Sequence, residues 1–273
     1  MNTHLFHVYW DKSAFCLLWW GIFPTFASLI YKFEKMMLKK MLWACLLLVL
    51  PFAVCEGKKK EKRSVVRIET SEGVIRVALL DDTPIHRDNF LKLAAKGHYD
   101  GTLFHRVIED FMIQGGDPDS RGAAPGVLLG EGDVKYTLPA EFQLPYYYHL
   151  RGALAAAREG DDVNPEMRSS GSQFYIVWGK KFGPASLKQA RARLEDNGVE
   201  MTSQMYEDYL QYGGTPHLDG TYTVFGEVIE GLEVVGKIQG VTTDKNDRPL
   251  KDVVVTHMEV EQLSKDAQKK AKK

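Results

Sequence analysis

The stretch FHRVIEDFMIQGGD, Phe104 to Asp117, decides how the rest of the chain is read. As extended chain with a period of two, it places Phe104, Arg106 and Ile108 on one face of a strand. An arginine between two large apolar residues is unusual, because a guanidinium is rarely buried without a partner. Met112 and Gln114 repeat the pattern, and two glycines and an aspartate then stop the strand. The bland explanation pairs Arg106 with a nearby carboxylate, Glu109 or Asp110, but Asp110 is expected in the turn. His105, on the opposite face, is expected to pack or hydrogen-bond.

The flanking sequence has the same short rhythm. VVRIETSEGVIRVALL reads as a hairpin, Val65–Thr70 and Val74–Leu80 around a Ser-Glu-Gly turn. TPIHRDNFLKLAAKG is punctuated as a helix, with Thr83 as N-cap, Pro84 at the first position and Gly97 as the left-handed stop; Phe90, Leu93 and Ala94 form its buried face. GALAAA, SQFYIVW, TYTVFGEVI and LKDVVVTHMEVEQL are strand candidates, and GLEVVGKI a short helix. Residues 180–214 break the rhythm. Pro184 to Gly198 carries Leu187, Ala190 and Leu194 at helical spacing, and Thr202 to Gly213 carries Met205, Tyr209 and Tyr212, which together predict an inserted helical hairpin. On base rates for long insertions, a decoration on the barrel is favoured over a dedicated binding site. The pattern predicts an all-β-dominated fold, a closed antiparallel β-barrel with helical caps.

Of the 273 residues, 44% are hydrophobic and 26% charged, which is globular composition, and the formal net charge of -1 gives no reason to expect nucleic acid. The eight histidines form no ligand-spaced pair, so no metal is expected. All three cysteines, Cys16, Cys45 and Cys55, lie upstream of the domain, which therefore has no thiol nucleophile or disulfide. MLWACLLLVLPFAVC, residues 41–55, follows a lysine-rich flank and precedes EGKKKEKRS, the pattern of a secretory signal. Three outcomes stay open for residues 36–55: cleavage, a lipoprotein signal with lipid on Cys55, or an uncleaved anchor. Residues 1–35 read either as an extension upstream of a true start at Met36, Met37 or Met41, or as an extra apolar segment. A charged linker is expected over 56–63, the folded domain over 64–263, and a solvated basic tail over 264–273.

FHRVIEDFMIQGGD, SSGSQFYIV and HLDGTYTVFGEVIEGLEVVGKI, in this order, resemble the cyclophilin family of peptidyl-prolyl cis-trans isomerases. The resemblance spans the domain from Ser64, apart from the inserted hairpin. It implies a closed eight-stranded antiparallel barrel capped by two helices, acting on proline-containing polypeptides without a cofactor. By match to the family's motifs, Arg106 would be the catalytic arginine. Phe111, Met112, Tyr175 and Leu218 would line a socket for the proline ring, and Gln114 would hold substrate backbone or steady Arg106. Gln173 and Ala157 would lie along the peptide groove.

Several positions depart from the family pattern. Tyr175 stands where many members have phenylalanine, His217 where cyclosporin-sensitive members have tryptophan, and Tyr222 where those members have histidine. Arg158 replaces a small polar residue, and the segment Glu159 to Arg168 is longer and more charged than the matching loop. These changes are expected to alter substrate preference and weaken cyclosporin binding. The implied function is X-Pro isomerisation in folding proteins of a bacterial cell envelope, in the periplasm or on a membrane anchor, by a monomer. The rival is a non-catalytic module that binds proline-containing chains. A barrel holding a small apolar ligand has little support, because the inward positions are bulky.

Overall fold

The computed structural model describes residues 63–265. The apolar segments and the linker before residue 63, and most of the basic tail, lie outside the described residues, as do the expectations of cleavage, lipidation and anchoring. Among the described residues no helix is long and apolar enough to cross a membrane.

The chain starts with the expected hairpin, β1 (Val65–Thr70) and β2 (Gly73–Leu79), joined at Thr70↔Gly73. Helix α1 (Pro84–Ala95) follows, then β3 (Arg106–Ile108) and β4 (Met112–Gly115) around the turn at Asp110, whose φ is 57°. A short pair, β5 (Thr137–Leu138) and β7 (Ser169–Ser170), stands apart from the main sheet. β6 (Ala153–Ala156), β8 (Phe174–Val177), α2 (Pro184–Asp196), α3 (Ser203–Tyr212), β9 (Val224–Glu230), α4 (Leu232–Gln239) and β10 (Val255–Gln262) complete the order.

Eight strands form one antiparallel sheet in the order β10-β1-β2-β9-β6-β8-β4-β3. The sheet is strongly curled, but its ladder is open. Between the two edges lies an isolated bridge, Leu103↔Val254, flanked by hydrogen bonds from Phe104 N to Val253 O and from Val255 N to Thr102 O. The expected closed eight-stranded barrel is therefore seen as a curled half-barrel sheet.

Alternation divides the side chains between two faces. The inner face carries Ile68, Ile75, Val77, Leu79, Ile113, Leu154, Phe174, Ile176, Phe225 and Val255, and α1 and α4 close over them with Phe90, Leu93, Ala94, Val235 and Ile238. Side chains fill this interior. Phe104 belongs to this core with Val107, and not to the Arg106 face as strict alternation had it. The strand proper begins only at Arg106, and residues 102–105 instead follow the Val253–Val255 edge.

Two local expectations need correction. Thr83 makes no side-chain cap; its Oγ1 only reaches Leu80 O, at 3.5 Å. Glu141 caps α1 instead, accepting from Ile85 N at 3.1 Å and His86 N at 2.9 Å. A carboxylate from another segment can satisfy the same free N–H groups as a local hydroxyl. Tyr212 of α3 is 48% exposed, while Leu187, Leu194, Met205 and Tyr209 form the hairpin's own buried core.

His105 is buried, and neither ring nitrogen meets a well-formed hydrogen-bond partner. Burial pushes its imidazole down from 6.5 to about 4. The unfolded chain therefore takes up a proton between those values that the folded chain refuses. Stability is full above 6.5 and falls as pH drops toward about 4, by on the order of 3 kcal/mol from this residue. His105→Leu is expected to be at least as stable at neutral pH and to lose that part of the acid slope. Urea unfolding at a series of pH values checks this, and slopes identical to the parent's would contradict it.

Candidate functional site

The site arises on the outer face because one row of paired residues crosses five strands, with a register shift between β6 and β9 at Leu154/Ala155. Arg106 pairs with Gln114, Gln114 with Tyr175, Tyr175 with Ala155, and Ala155 with Val224. A second row places Ile108 opposite Met112 and Met112 opposite Val177. Period-two alternation turns all of these outward, away from the core that holds Val107, Ile113, Phe174 and Ile176. On β6 and just beyond it, the outward residues Ala153, Ala155 and Ala157 carry only methyl groups. The surface is therefore low there, between taller neighbours.

Those neighbours form a second apolar cluster. Met112, Tyr175, Val177, Val224 and Ala157 are among its buried members, and Ile108, Phe111, Leu218 and Tyr222 are among those packed at its edge. The ring of His217 stacks on Phe111, with centroids 5.5 Å apart and planes at 29°. Tyr222 meets Tyr175 edge-on at 6.0 Å, and the Arg158 guanidinium lies 4.5 Å over the Tyr222 ring. Arg158 is fixed in turn by Thr221 O at 2.8 Å and Asp161 at 2.7 Å. All four sequence-predicted socket residues, and the two departures at 217 and 222, thus gather in one place.

Arg106 stands at the margin of this cluster with its side chain 44% exposed. Its Nη1 donates to Gln114 Oε1 at 3.3 Å, and its Nε faces the Asp247 carboxylate at 3.6 Å. The carboxylate partner is therefore Asp247, from the loop before β10, and neither Glu109 nor Asp110. No local sequence signal pointed to it. Gln114 Nε2 donates to Gln173 Oε1 at 2.9 Å, and Gln173 Nε2 donates to the carbonyls of Gly130 and Gly132 at 2.8 and 2.7 Å.

Those carbonyls belong to the long loop after β4, which has its own anchors. Asp117 is buried and accepts from Asp119 N at 2.8 Å and Gly130 N at 2.6 Å. Asp133 accepts from Gly171 N, Ser172 N and Ser172 Oγ. Gly116 has a φ of +91°, and a methyl group there would meet Ser172 O at 2.3 Å, so only glycine fits where the loop leaves the strand. A cleft of about 600 Å³ opens beside Gln114, Ala157 and Gln173, with Arg158 and Arg168 on one wall and Glu131 and Asp133 on the loop side. Another cavity, of about 310 Å³ along Leu80, Tyr147, Arg151 and Tyr212, contains none of the candidate residues.

Burial shifts two groups in and beside this cluster. The Tyr175 hydroxyl is raised well above the usual tyrosine value and stays protonated. The His217 imidazole is lowered by desolvation, with His149 nearby adding to the effect. Among the described residues no group of histidines, cysteines and carboxylates is arranged to hold a metal ion.

The family model described as "Cyclophilin type peptidyl-prolyl cis-trans isomerase/CLD" matches residues 65–260. The chain is 37% identical over 198 residues to "Putative peptidyl-prolyl cis-trans isomerase" of Staphylococcus epidermidis, covering 72% of this chain and 91% of that protein. It is 38% identical over 198 residues to "Putative bifunctional phosphatase/peptidyl-prolyl cis-trans isomerase" of Streptococcus pyogenes serotype M6. That match covers 71% of this chain but only 38% of the longer streptococcal protein. Among solved structures, a cyclophilin type peptidyl-prolyl cis-trans isomerase of Cryptosporidium parvum superposes with a TM-score of 0.52 at 26% identity, over 73% of this chain and 98% of its own. A second crystal structure of that protein was determined in the presence of the dipeptide Ala-Pro.

Removing the Asp133 carboxylate isolates its effect on the groove wall. Asp133→Ala is expected to speed amide hydrogen exchange at Gly171 and Ser172 by roughly ten- to hundredfold, while β1 and β2 amides keep their protection. Unchanged exchange at both positions would show that the loop is held by other contacts.

Proposed function

The chain belongs to the cyclophilin-type peptidyl-prolyl cis-trans isomerase family, and we propose that it accelerates X-Pro isomerisation with Arg106 as the catalytic residue. The observation that carries this reading is the convergence of a held guanidinium and an apolar socket on one outer face. An X-Pro amide isomerises slowly, over tens to hundreds of seconds, because C–N resonance imposes a barrier of ~18–20 kcal/mol. No atom is transferred, so catalysis needs only tighter binding of the twisted amide than of either planar form.

The proposed reaction uses these groups as follows. The proline ring enters the socket of Phe111, Met112, Tyr175, Leu218 and Tyr222, whose apolar walls exclude water. Ala157 and Gln173 lie along the groove for the backbone, and His217 borders the socket through Phe111. As the amide twists, its nitrogen becomes pyramidal and regains a lone pair. Arg106 donates to that lone pair, which the planar amide does not offer. A guanidinium has five N–H donors, so engagement by Gln114 and Asp247 leaves others for substrate. Its direction is set before substrate arrives, which makes the donation more effective than one from a free side chain. Lowering the barrier by ~7 kcal/mol would correspond to about a 10⁵-fold acceleration.

The proposal extends to place and clients. The apolar run at 41–55 supports export to a bacterial cell envelope, with soluble release, lipid on Cys55 or an anchor as its three forms. The substrates would be exposed X-Pro bonds of secreted or outer-membrane proteins during folding, handled by a monomer. Fractionation of cells producing the full chain tests this part, and recovery only in the cytoplasm would overturn it.

For the chemistry, Arg106→Ala is expected to lower kcat/KM on a proline reporter peptide by about 10²- to 10³-fold, with peptide affinity held within about threefold. Arg106→Lys is expected not to restore activity, because an ammonium lacks the planar fork. A folded parent that binds the peptide without turnover would instead favour the non-catalytic peptide-binding module. Equal turnover by parent and Arg106→Ala would remove the arginine from the mechanism.

A further inference from the structure

We propose that the inserted helical hairpin sets the geometry of the proline socket through a buried hydrogen-bond chain, Tyr209–Asp219–His149–Tyr175, making Tyr209 and Asp219 positioning residues. The proposal rests on the socket reading above and gives a task to the segment that the sequence left as a decoration.

The chain is continuous and sealed. Tyr209 Oη, on α3, donates to Asp219 Oδ2 at 2.7 Å. Asp219 Oδ1 accepts from His149 N at 2.9 Å and lies 2.8 Å from His149 Nδ1. His149 Nε2 lies 2.9 Å from Tyr175 Oη, and the two rings stack with their planes 12° apart. None of the four residues is more than 4% exposed. The Asp219 carboxylate accepts a hydrogen bond from the Nδ1–H, so Nε2 is left as the acceptor that meets the Tyr175 hydroxyl. Each link therefore fixes the orientation of the next.

Both ends of the chain matter to the socket. Tyr175 is its buried floor. Asp219 directly follows Leu218 and closes the single turn Pro216–Leu218, so holding Asp219 also holds Leu218 and the His217 ring stacked on Phe111. The hairpin is tied to the same place through its backbone. Lys180 and Gly214, its entry and exit, form one bridge, and Thr215 N donates to His149 O at 2.9 Å. Gly214 has a φ of +147°, and a methyl group there would meet His149 O at 2.2 Å, so the exit lies directly on the central residue of the chain.

Anchoring alone would not call for this chemistry. A fully buried carboxylate carries a large desolvation cost, and apolar side chains of similar volume dock helices at least as well. The hairpin already has such an apolar core in Leu187, Leu194, Met201 and Met205. What the polar chain adds is direction, ending on a socket hydroxyl.

The test uses the full chain with Tyr209→Phe, Tyr175→Phe and the double variant. Tyr209→Phe keeps the ring against Tyr148 and Phe182 and removes only the hydroxyl. Without peptide, Tyr209→Phe is expected to shift the methyl NMR signals of Leu218 and Met112. In the reverse direction, Tyr175→Phe is expected to shift those of Met205 and Leu194, which keeps the test available if one variant fails to fold. Titration with Ala-Pro and a blocked Ala-Pro tetrapeptide is expected to show each single variant binding roughly three- to tenfold more weakly. The double variant should bind no more weakly than the poorer single, because both act through one chain. Socket and hairpin methyl signals that ignore the distant substitution, or binding losses that multiply, would overturn the proposal. A parent that binds neither peptide would overturn the socket reading instead, and the methyl shifts of the free protein would still decide the chain.

Discussion

The side-chain amide of Gln173 has two N–H groups, and the carbonyls of Gly130 and Gly132 take both. Its oxygen is then the only group left to face Gln114, which must turn its own N–H toward it and its own oxygen toward Arg106. Neither amide can flip without setting like groups against each other, at a cost of about 1–3 kcal/mol for each buried group left unsatisfied. A loop that Asp117 and Asp133 hold in place thus orients the Gln114 oxygen that Arg106 meets. Asp247 completes the clamp from the other side. Under the proposed mechanism, a donor held in this way would meet the twisted amide with little reorganisation.

The apolar half of the site follows from strand alternation and residue size. Every inward side chain of β4, β6 and β8 contributes to a filled core, which fixes the register. With the register fixed, the outward row has no freedom: Arg106, Gln114, Tyr175, Ala155 and Val224 must stand side by side. Large rings at Phe111, Tyr175 and Tyr222 then rise beside the methyl groups of Ala155 and Ala157, and the depression between them is the socket we propose for the proline ring. The departures from the family pattern fit this frame. His217 still covers Phe111 with a ring, and Arg158 braces Tyr222 from the side.

Much of this was legible because it depends on short periods. The first hairpin, both strands around Arg106, the limits of the inserted helices and the glycine stop of α1 all follow from local pattern. What was not legible depends on contacts distant in sequence. Asp247 reaches Arg106 from a loop before β10, and Glu141 caps α1 in place of Thr83. Phe104 turned inward because residues 102–105 follow the Val253–Val255 edge, a pairing that no window around Phe104 contains. Likewise, the spacing of Tyr209 marks it as a core residue of a helix, and nothing local says that its hydroxyl meets Asp219. The ladder also stays open at β3 and β10, whereas the family resemblance implied closure.

The most direct test of the account is exchange NMR on a blocked Ala-Pro peptide with a small molar fraction of the full chain. Isomerisation unaided is too slow to link the cis and trans signals on that timescale. The account predicts exchange cross-peaks between them, growing with protein concentration while the cis-to-trans ratio stays that of the free peptide. Peptide signals that shift on binding but show no cis–trans exchange would contradict it.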